Sequence, residues 1–459
     1  MEPLPGCYRI CFISDFFYPN MGGVEIHQYQ LAHFLVNHGH KVVVITHQYG
    51  NRTNVRTLKN GIKIYYLPLL RMVNECHFPT AFTEHALTRN ILIREQIQIV
   101  HCHQSFSALG LIHSFYAKML GIRVVYTEHS LLNLKDLTSV LLNGVFRHTV
   151  QNADAVIGVS QCTKENISLR VKCDPRKIYV IPNALESTKY LPDPTKKDPH
   201  KINIVILSRL VYRKGIDLAV GIIPKICEKY QDVNFIIGGD GPMMFTFEEM
   251  REKYQLQDRV KLLGAIQHCD TRDVLVQGDI FLNCSLTEGF CIAIIEALSA
   301  GLHVVSTHVG GIREVLPPHL ITYSLPTVSD LCKSVEQTIA KVRKSDRSSD
   351  CWEFHNSLKS FYSWERVATR TEKVYKEVME KPLDELVVHT HKLWYNGRTG
   401  GKFVFFLHYL VMFISILIAW IWPASKIEKA LEIPRTTYKN GVVIPIKNCV
   451  VKEAEAKKQ

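Results

Sequence analysis

The chain has 459 residues, of which 46% are hydrophobic, and its formal net charge at pH 7 is +12. That length predicts two domains, since a single hydrophobic core rarely grows so large. The basic residues are scattered and follow no zinc-finger or RNP-like spacing, which argues against nucleic-acid binding and favours an anionic ligand or membrane surface. The thirteen cysteines include no Cys-X-X-Cys pair, and several lie inside apolar runs, which favours a reducing compartment.

Short apolar runs alternate with amphipathic stretches through residues 1–190, which predicts a first α/β domain with a parallel sheet and crossover helices. The first helix is predicted from about Val24 to His38, with Gly39 as its stop signal. The predicted strands are 8–14, 41–46, 62–67, 97–101, 123–127 and 155–159.

Gly22 and Gly23 lie in the loop between the first strand and the first helix. A glycine pair at a helix N-terminus allows backbone to approach a phosphate or sugar, although two glycines alone also fit a plain tight turn. The full G-X-G-X-X-G fingerprint is missing, which argues against a dinucleotide-dependent oxidoreductase.

Histidines follow the ends of two later strands. His101 and His103 face the same way along a strand, but no Asp, Glu or Cys set close by in the sequence completes a metal site, so none is predicted. His129 follows the next strand, at the sheet edge where α/β proteins bind ligands. We interpret it as a hydrogen-bonding residue of that edge, the alternative being a purely structural histidine.

A polar, proline-rich stretch at 191–200 predicts a linker, and the α/β alternation restarts in a second domain at 201–380. Its helices are expected to begin near Gly215, Pro242, Asp270 and Phe290, and a last amphipathic helix is predicted at 364–378. The predicted strands are 202–207, 234–238, 260–263, 280–283 and 303–306.

Two motifs of this second domain carry charge suited to a nucleotide-sugar. SRLVYRKG at 208–215 places Arg209 and Lys214 after a buried strand, where a phosphate would bind. EGFCIAIIE at 288–296 sets Glu288 and Glu296 on either side of a predicted helix N-terminus, whose amides suit a diphosphate. Eight helical residues would separate the two carboxylates by about 12 Å. Each motif alone also fits a solvated charge pair or a tight turn.

The C-terminal segment 403–422 is a run of twenty residues with His408 and Tyr409 as its only ionisable members. A helix of that length spans about 30 Å, so the pattern predicts one transmembrane helix followed by a short tail at 423–459. The N-terminus lacks the pattern of a signal peptide, which predicts that the domains before the span are cytosolic.

These motifs resemble those of the retaining GT-B glycosyltransferases of family 4, and more closely the PIG-A-type branch that starts GPI-anchor synthesis. The resemblance runs from about Arg9 to Val374 and is carried by SDFFYPNMGGVE at 14–25, SRLVYRKGID at 208–217 and SLTE at 285–288. It implies a GT-B fold, with two Rossmann-like domains facing a central cleft.

The resemblance also implies the reaction: transfer of N-acetylglucosamine from UDP-GlcNAc to phosphatidylinositol at the cytosolic face of the endoplasmic reticulum membrane, with further membrane subunits as partners. It implies that Arg209 and Lys214 hold the diphosphate, Glu296 the ribose and Glu288 the hydroxyls of the donor sugar. By position, the resemblance further implies backbone amides from Gly289, Phe290 and Cys291, and it implies that Gly22 and Gly23 close the donor site from the other domain. It places His129 where donor sugar and acceptor meet.

The resemblance implies a retaining reaction by front-face substitution, since the motifs contain no obvious nucleophile. No Asp-X-Asp motif is present to hold Mg²⁺ under a diphosphate, so Arg209 and Lys214 would carry that charge and no metal or other cofactor is expected. Two alternatives remain from the sequence: a related membrane-associated hexosyltransferase with another sugar or lipid acceptor, and a non-catalytic scaffold subunit with the same fold.

Overall fold

The computed structural model describes residues 6–20, 22–69, 83–131, 146–147, 149–359, 361–383, 399–431, 436–439 and 442–445. The chain divides into two compact units. The first comprises residues 1–159, 164–181 and 367–459, and the second comprises 160–163 and 182–366. The division after residue 181 lies ahead of the polar stretch at 191–200.

The first unit contains an eight-stranded sheet. Its strands are β1 (Arg9–Ile13), β2 (Lys41–His47), β3 (Asn54–Thr57), β4 (Lys63–Leu67), β5 (Ile99–His103), β6 (Arg123–Glu128), β7 (Ala155–Gly158) and β8 (Ile178–Val180). Their spatial order is β3-β4-β2-β1-β5-β6-β7-β8, and all neighbours are parallel except the antiparallel pair β3 and β4. Because both faces of such a sheet are covered, its inner strands are continuous apolar runs.

The second unit contains a six-stranded parallel sheet. Its strands are β9 (Ile202–Leu207), β10 (Val233–Gly238), β11 (Val260–Leu262), β12 (Ile280–Asn283), β13 (His303–Thr307) and β14 (Ile321–Ser324). Their order is β11-β10-β9-β12-β13-β14, which is the 3-2-1-4-5-6 order of nucleotide-binding Rossmann sheets. The strand order reverses between β9 and β12, and in open α/β sheets ligands bind at the carboxyl ends of the strands flanking that point.

The helices follow the strands as the alternation predicts. They are α1 (Gly23–Asn37), α2 (Thr83–Arg94), α3 (Ala108–Met119), α4 (Gln161–Val171), α5 (Ile216–Lys229), α6 (Met244–Lys253), α7 (Thr271–Leu275), α8 (Ile292–Ser299), α9 (Val328–Lys344), α10 (Arg347–Lys359), α11 (Trp364–Glu380) and α12 (Thr399–Ile421). In the second unit, the helices expected near Gly215, Pro242, Asp270 and Phe290 each begin within two residues of those positions.

The prediction of a membrane span at 403–422 is not supported. Helix α12 covers residues 403–421 of that segment, but no helix among the described residues is both long and apolar enough to cross a bilayer. One side of α12 packs inside the first unit, where Val411 is buried and the Ser415 hydroxyl lies 2.7 Å from Nε2 of His85 in α2. The tail predicted at 423–459 is described at 423–431, 436–439 and 442–445, where β15 (Thr436–Lys439) and β16 (Val442–Pro445) form an antiparallel pair.

Gly215 joins the first motif to α5 at a point of very close backbone approach. Its φ is +68°, and a Cβ at this position would lie 1.9 Å from the carbonyl oxygen of Cys284, which follows β12. Gly264 has almost the same φ, +69°, but a Cβ there would have nothing within 4 Å. The two glycines share a backbone conformation and differ in the space available.

We expect Gly215→Ala to lower the free energy of unfolding by about 3 kcal/mol, since left-handed strain and overpacking add together. Gly264→Ala, as the matched control, should cost only the backbone strain, about 1 kcal/mol. Urea unfolding of the purified variants measures both values. Equal losses would show that the approach of the two backbones is not a constraint.

Candidate active site

Two loops meet at the point in the second unit where the strand order reverses. The loop after β9 carries Arg209 and Lys214, and the loop after β12 carries Glu288. A backbone hydrogen bond of 2.9 Å from the amide of Leu286 to the carbonyl of Arg213 ties one loop to the other. The two charged motifs, far apart in the sequence, therefore form one continuous surface.

An ion pair closes this surface. The Lys214 ammonium bonds Oε1 of Glu288, and both side chains are largely withdrawn from solvent, with 19% and 16% exposed. The Ser285 hydroxyl donates to the same carboxylate oxygen at 2.8 Å and also lies 3.0 Å from the side-chain oxygen of Asn283. Glu288 is thus held from two directions by groups that donate hydrogen bonds.

The loops after β9 and β12 carry more positive than negative charge. Arg209 is exposed, and Arg213 lies close enough to interact electrostatically with both Arg209 and Glu288. Burial lowers the pKa of Arg213, the Arg209 cation lowers it further and the Glu288 carboxylate raises it. The two loops together carry three cations and one carboxylate, a balance that suits a ligand with several phosphate oxygens.

The N-terminus of α8 lies between the two predicted glutamates. The helix begins at Ile292, no side chain caps it, and Cys291 occupies the N-cap position at a φ of +80°. Between Glu288 and Glu296 only residues 292–296 are helical, so the helical rise toward Glu296 is about 6 Å and not the 12 Å that an unbroken helix would give. The uncapped amides of the first turn are the groups of this segment that suit an anion.

The side chains just before α8 are buried or held protonated, so the backbone of this segment is what stays available to a ligand. Phe290 is buried, with its ring edge-on to Tyr362 at 5.7 Å between centroids. Burial and the nearby Glu288 carboxylate raise the pKa of the Cys291 thiol to about 12, so this thiol stays protonated and is a poor nucleophile. A Cβ on Gly311 would lie 1.9 Å from the carbonyl oxygen of Gly289, which requires a glycine at 311.

Glu296, in the second turn of α8, is held by residues that the sequence did not indicate. The Tyr190 hydroxyl donates to its Oε1 at 2.9 Å, and Nε2 of His268 lies 3.2 Å from that hydroxyl. Burial, followed by the negative charge of Glu296, raises the pKa of Tyr190, so the phenol remains a donor. Tyr190 is adjacent to the polar stretch, where no pattern distinguishes a site residue.

The remaining predicted residues belong to the first unit. Gly22 is the N-cap of α1, and the Glu25 carboxylate folds back over it, with Oε2 2.5 Å from the position a Cβ would take. Gly23 begins the helix. The preceding loop is fixed by buried Asp15, whose carboxylate accepts from the Ser107 hydroxyl at 2.8 Å and the Leu109 amide at 3.0 Å.

His129 follows β6 directly, in a segment anchored by the buried Glu128. That carboxylate accepts hydrogen bonds from the amides of His129, Ser130 and Ser105. Burial raises the pKa of Glu128 to about 7, although these amides oppose the shift. The prediction that His129 lies at the carboxyl edge of the sheet is confirmed; its contact with a substrate stays a prediction.

A column of buried imidazoles extends from His129 into the sheet. His103 stacks on His129 with 5.6 Å between centroids and on His101 with 4.2 Å, so His101 and His103 do face the same side of β5. Nδ1 of His101 lies 2.7 Å from the Tyr375 hydroxyl, and its Nε2 lies 2.7 Å from the Thr127 hydroxyl. Burial lowers the pKa of His101 to about 3 and those of His103 and His129 well below the usual value.

Comparisons with known proteins agree with this geometry. The PIGA (GPI anchor biosynthesis) family model matches residues 47–136, and the glycosyl transferases group 1 model matches residues 189–342. A human protein named as a subunit of phosphatidylinositol N-acetylglucosaminyltransferase is 48% identical over 95% of this chain and 90% of its own length. The chain belongs to the PIGA family.

A fungal relative and a solved structure are also similar to this chain. The gpi3 subunit of the same-named transferase from Schizosaccharomyces pombe is 42% identical over 93% of each chain. Sucrose-phosphate synthase from Thermosynechococcus elongatus has a TM-score of 0.67 and 18% identity over 81% of this chain and 98% of its own. The fold is therefore α/β of the GT-B glycosyltransferase type, as predicted, and the chain is a glycosyltransferase.

The histidine column predicts a pH dependence of stability. The unfolded chain protonates His101 below about pH 6.5, whereas the folded chain keeps it neutral down to about pH 3. The contribution of neutral His101 to the free energy of unfolding is therefore complete above about pH 6.5 and is lost as the pH falls toward 3. His101→Gln, which retains hydrogen-bonding groups but does not titrate, should lose about 2 kcal/mol less between pH 7 and pH 5 than the unmodified protein.

Urea unfolding of both proteins at the two pH values measures this difference. Comparing one protein with the other cancels the opposite contribution of Glu128, which protonates in the folded state over the same range. Identical pH dependence in the two proteins would show that His101 is not neutral when folded.

Proposed function

We propose that this protein transfers N-acetylglucosamine from UDP-GlcNAc to phosphatidylinositol, the first step of GPI-anchor biosynthesis. The observation that carries the proposal is the surface built around the Lys214–Glu288 pair at the strand-order reversal of a nucleotide-binding sheet. Similarity over almost the whole chain to transferase subunits of that name supports the choice of sugar and lipid.

In this proposal Arg209 and Lys214 bind the diphosphate of the donor. Lys214 carries three donors on its ammonium, so it can bond a phosphate oxygen while it keeps its contact with Glu288. The uncapped amides at the start of α8 add donors that need no rearrangement. Glu296, steadied by Tyr190, binds the ribose, and Glu288 bonds the hydroxyls of the donor sugar.

The rate enhancement comes from charge that develops on the departing UDP. As the bond from the anomeric carbon to the phosphate oxygen breaks, negative charge grows on the diphosphate, and the cations and amides already in place stabilise it. The departing phosphate accepts the proton of the attacking inositol hydroxyl on the same face of the sugar, which preserves the anomeric configuration. The protonated Cys291 thiol fits a reaction without a thiolate nucleophile.

The acceptor is a membrane lipid, so we place the reaction at the cytosolic face of the endoplasmic reticulum membrane. Large apolar side chains of α12 and the residue after it support contact with a lipid surface, since Phe413, Trp420 and Trp422 are more than half exposed. The buried cysteines Cys11, Cys102, Cys227 and Cys284 are outside any disulfide, which fits a reducing compartment. The relatives are named as subunits, so other membrane subunits are expected partners.

The function is tested with membranes from cells that lack this activity, supplemented with the protein. We expect labelled N-acetylglucosamine to appear on phosphatidylinositol only when the protein is present. A panel of UDP- and GDP-sugars identifies a related hexosyltransferase if another donor reacts faster. UDP binding without turnover in the complete complex would instead identify a non-catalytic subunit.

Removing either diphosphate contact should reduce transfer while the protein stays folded. Arg209→Ala and Lys214→Ala each remove a charge-assisted contact to the leaving group, which typically costs about 10²-fold in rate. Lys229→Ala is the matched control, because Lys229 is an exposed lysine of the same unit that pairs with Glu336. Initial rates with saturating lipid measure the effect.

Near-normal turnover of either variant would reject the proposed diphosphate site. The same assay in EDTA should give an unchanged rate, since these two side chains do the work of a bridging cation. A strict Mg²⁺ requirement would contradict that assignment.

The two glutamates should separate into different kinetic effects. Glu288→Gln should lower turnover more than it weakens UDP binding, because Glu288 acts on the sugar. Glu296→Gln should weaken UDP binding more than it lowers turnover at saturating donor. Calorimetric UDP titration and steady-state rates measure the two quantities, and equal losses of UDP affinity with no other effect would show that the roles are not divided.

The exposed apolar face of α12 should matter for lipid in a membrane and not for lipid in solution. Phe413→Ser combined with Trp420→Ser should reduce transfer to phosphatidylinositol in vesicles by about tenfold or more, since each aromatic withdrawn from water contributes roughly 1.5–3 kcal/mol. Transfer to a short-chain soluble analogue should stay within about twofold, because a soluble acceptor does not require these aromatics to enter a membrane.

Trp352→Ser removes an exposed tryptophan of the second unit and serves as the control. Equal losses with vesicles and with the soluble analogue would show that this face is not used to reach the membrane. Assembly with partner subunits is checked in the same samples.

A further inference from the structure

Three histidines from separate elements meet at the carboxyl edge of the first sheet. His27 lies in the second turn of α1, His103 ends β5, and His129 follows β6. Strands β1, β5 and β6 are neighbours in the sheet and α1 follows β1, so the topology brings all three elements to one edge. The imidazole of His27 lies edge-on to that of His129, with 4.6 Å between centroids.

Their ring nitrogens have the spacing of metal ligands. One nitrogen from each histidine lies within 4.8 Å of those of the other two. Nδ1 of His103 and Nε2 of His129 are 3.3 Å apart. Two nitrogens bound tetrahedrally to one zinc ion at about 2.0–2.1 Å are separated by about 3.3 Å, whereas hydrogen bonds from nitrogen cluster near 2.9–3.0 Å.

The other ring nitrogen of His103, Nε2, is buried and has no hydrogen-bond partner within the described part of the chain. An imidazole usually has a partner for each ring nitrogen when it is buried, so His103 is not satisfied by the protein alone. An ion bound through Nε2 would supply the missing partner, whereas an ion bound through Nδ1 would replace the contact of that nitrogen with His129.

We propose that His27, His103 and His129 form a binding site for a transition-metal ion of the Zn²⁺ class. Three imidazoles without a carboxylate in the group suit Zn²⁺, Co²⁺ or Cu²⁺ and do not suit Mg²⁺ or Ca²⁺, which prefer oxygen ligands. Three protein ligands leave a fourth tetrahedral position open. The site belongs to the first unit and shares no residue with the diphosphate site proposed in the second.

The direct test is a cobalt titration of the purified full-length chain in detergent, after removal of metals with EDTA. Tetrahedral Co²⁺ gives strong visible absorption, which we expect to saturate near one ion per chain and to disappear when Zn²⁺ displaces it. Mg²⁺ should neither produce nor remove the signal. Absence of saturable Co²⁺ or Zn²⁺ binding would overturn the proposal.

Variants assign the ion to these residues. His27→Gln and His103→Gln should each weaken binding by about tenfold or more, because each removes a ligand. His113→Gln is the matched control, since His113 is buried in α3 of the same unit but lies outside the group. Thermal unfolding confirms that each variant is folded, and unchanged affinity in both folded ligand variants would overturn the assignment.

A second readout uses transfer activity and rests on the proposed function. His129 is predicted to lie where donor sugar and acceptor meet, so an ion that occupies this imidazole should inhibit transfer. Added Zn²⁺ should therefore lower the rate, and EDTA should relieve the inhibition. His27→Gln should be inhibited less at the same Zn²⁺ concentration. Equal inhibition of both proteins would overturn the link between this ion and the reaction, while the cobalt titration still decides the site itself.

Discussion

The close approach of Gly215 to the backbone carbonyl of Cys284 is the constraint on which the donor-side geometry depends. It lets the loop after β9 rest directly on the end of β12, without a side chain between them. Only then does the Leu286 amide reach the Arg213 carbonyl, and only then does Lys214 meet Glu288. A glycine without a side chain therefore sets the distances between the charged groups of the candidate site.

Charge at this point is arranged before a ligand arrives. Glu288 is held by an ammonium and a hydroxyl, and Glu296 by a phenol, so both carboxylates are already oriented by the protein. Donors already directed at developing charge cost no reorganisation during the reaction. The backbone amides at the start of α8 need no reorganisation either, because the helix itself fixes their direction.

The sequence predicts those features that depend on local pattern. Buried strands such as β9 and β12 are continuous apolar runs, and their predicted and observed bounds coincide. Strand β3 is exposed at all four residues, and β8 has three residues, so neither has a recognisable period. The charged motifs were also recognisable, because residue type and position relative to a strand suffice to indicate phosphate chemistry.

Contacts between distant residues are the part that the sequence does not predict. Lys214 and Glu288 are 74 residues apart, and Tyr190 and Glu296 are 106 apart, so each pairing exists only after strands have been ordered in a sheet. The histidine group has the same origin, because a search for ligands near His101 and His103 in the sequence cannot find His27 or His129. The membrane span was predicted from hydropathy alone, a measure that does not register the packing of Val411 and Ser415 inside the first unit.

The first unit is assembled from both ends of the chain, with residues 367–459 returning to it after the second unit. During synthesis, β5 emerges from the ribosome with His101 long before α11 supplies Tyr375, whose hydroxyl lies 2.7 Å from that ring. The second unit is continuous apart from residues 160–163, so it is available for folding first. A chain that stops anywhere before Tyr375 leaves the buried imidazole of His101 without that partner.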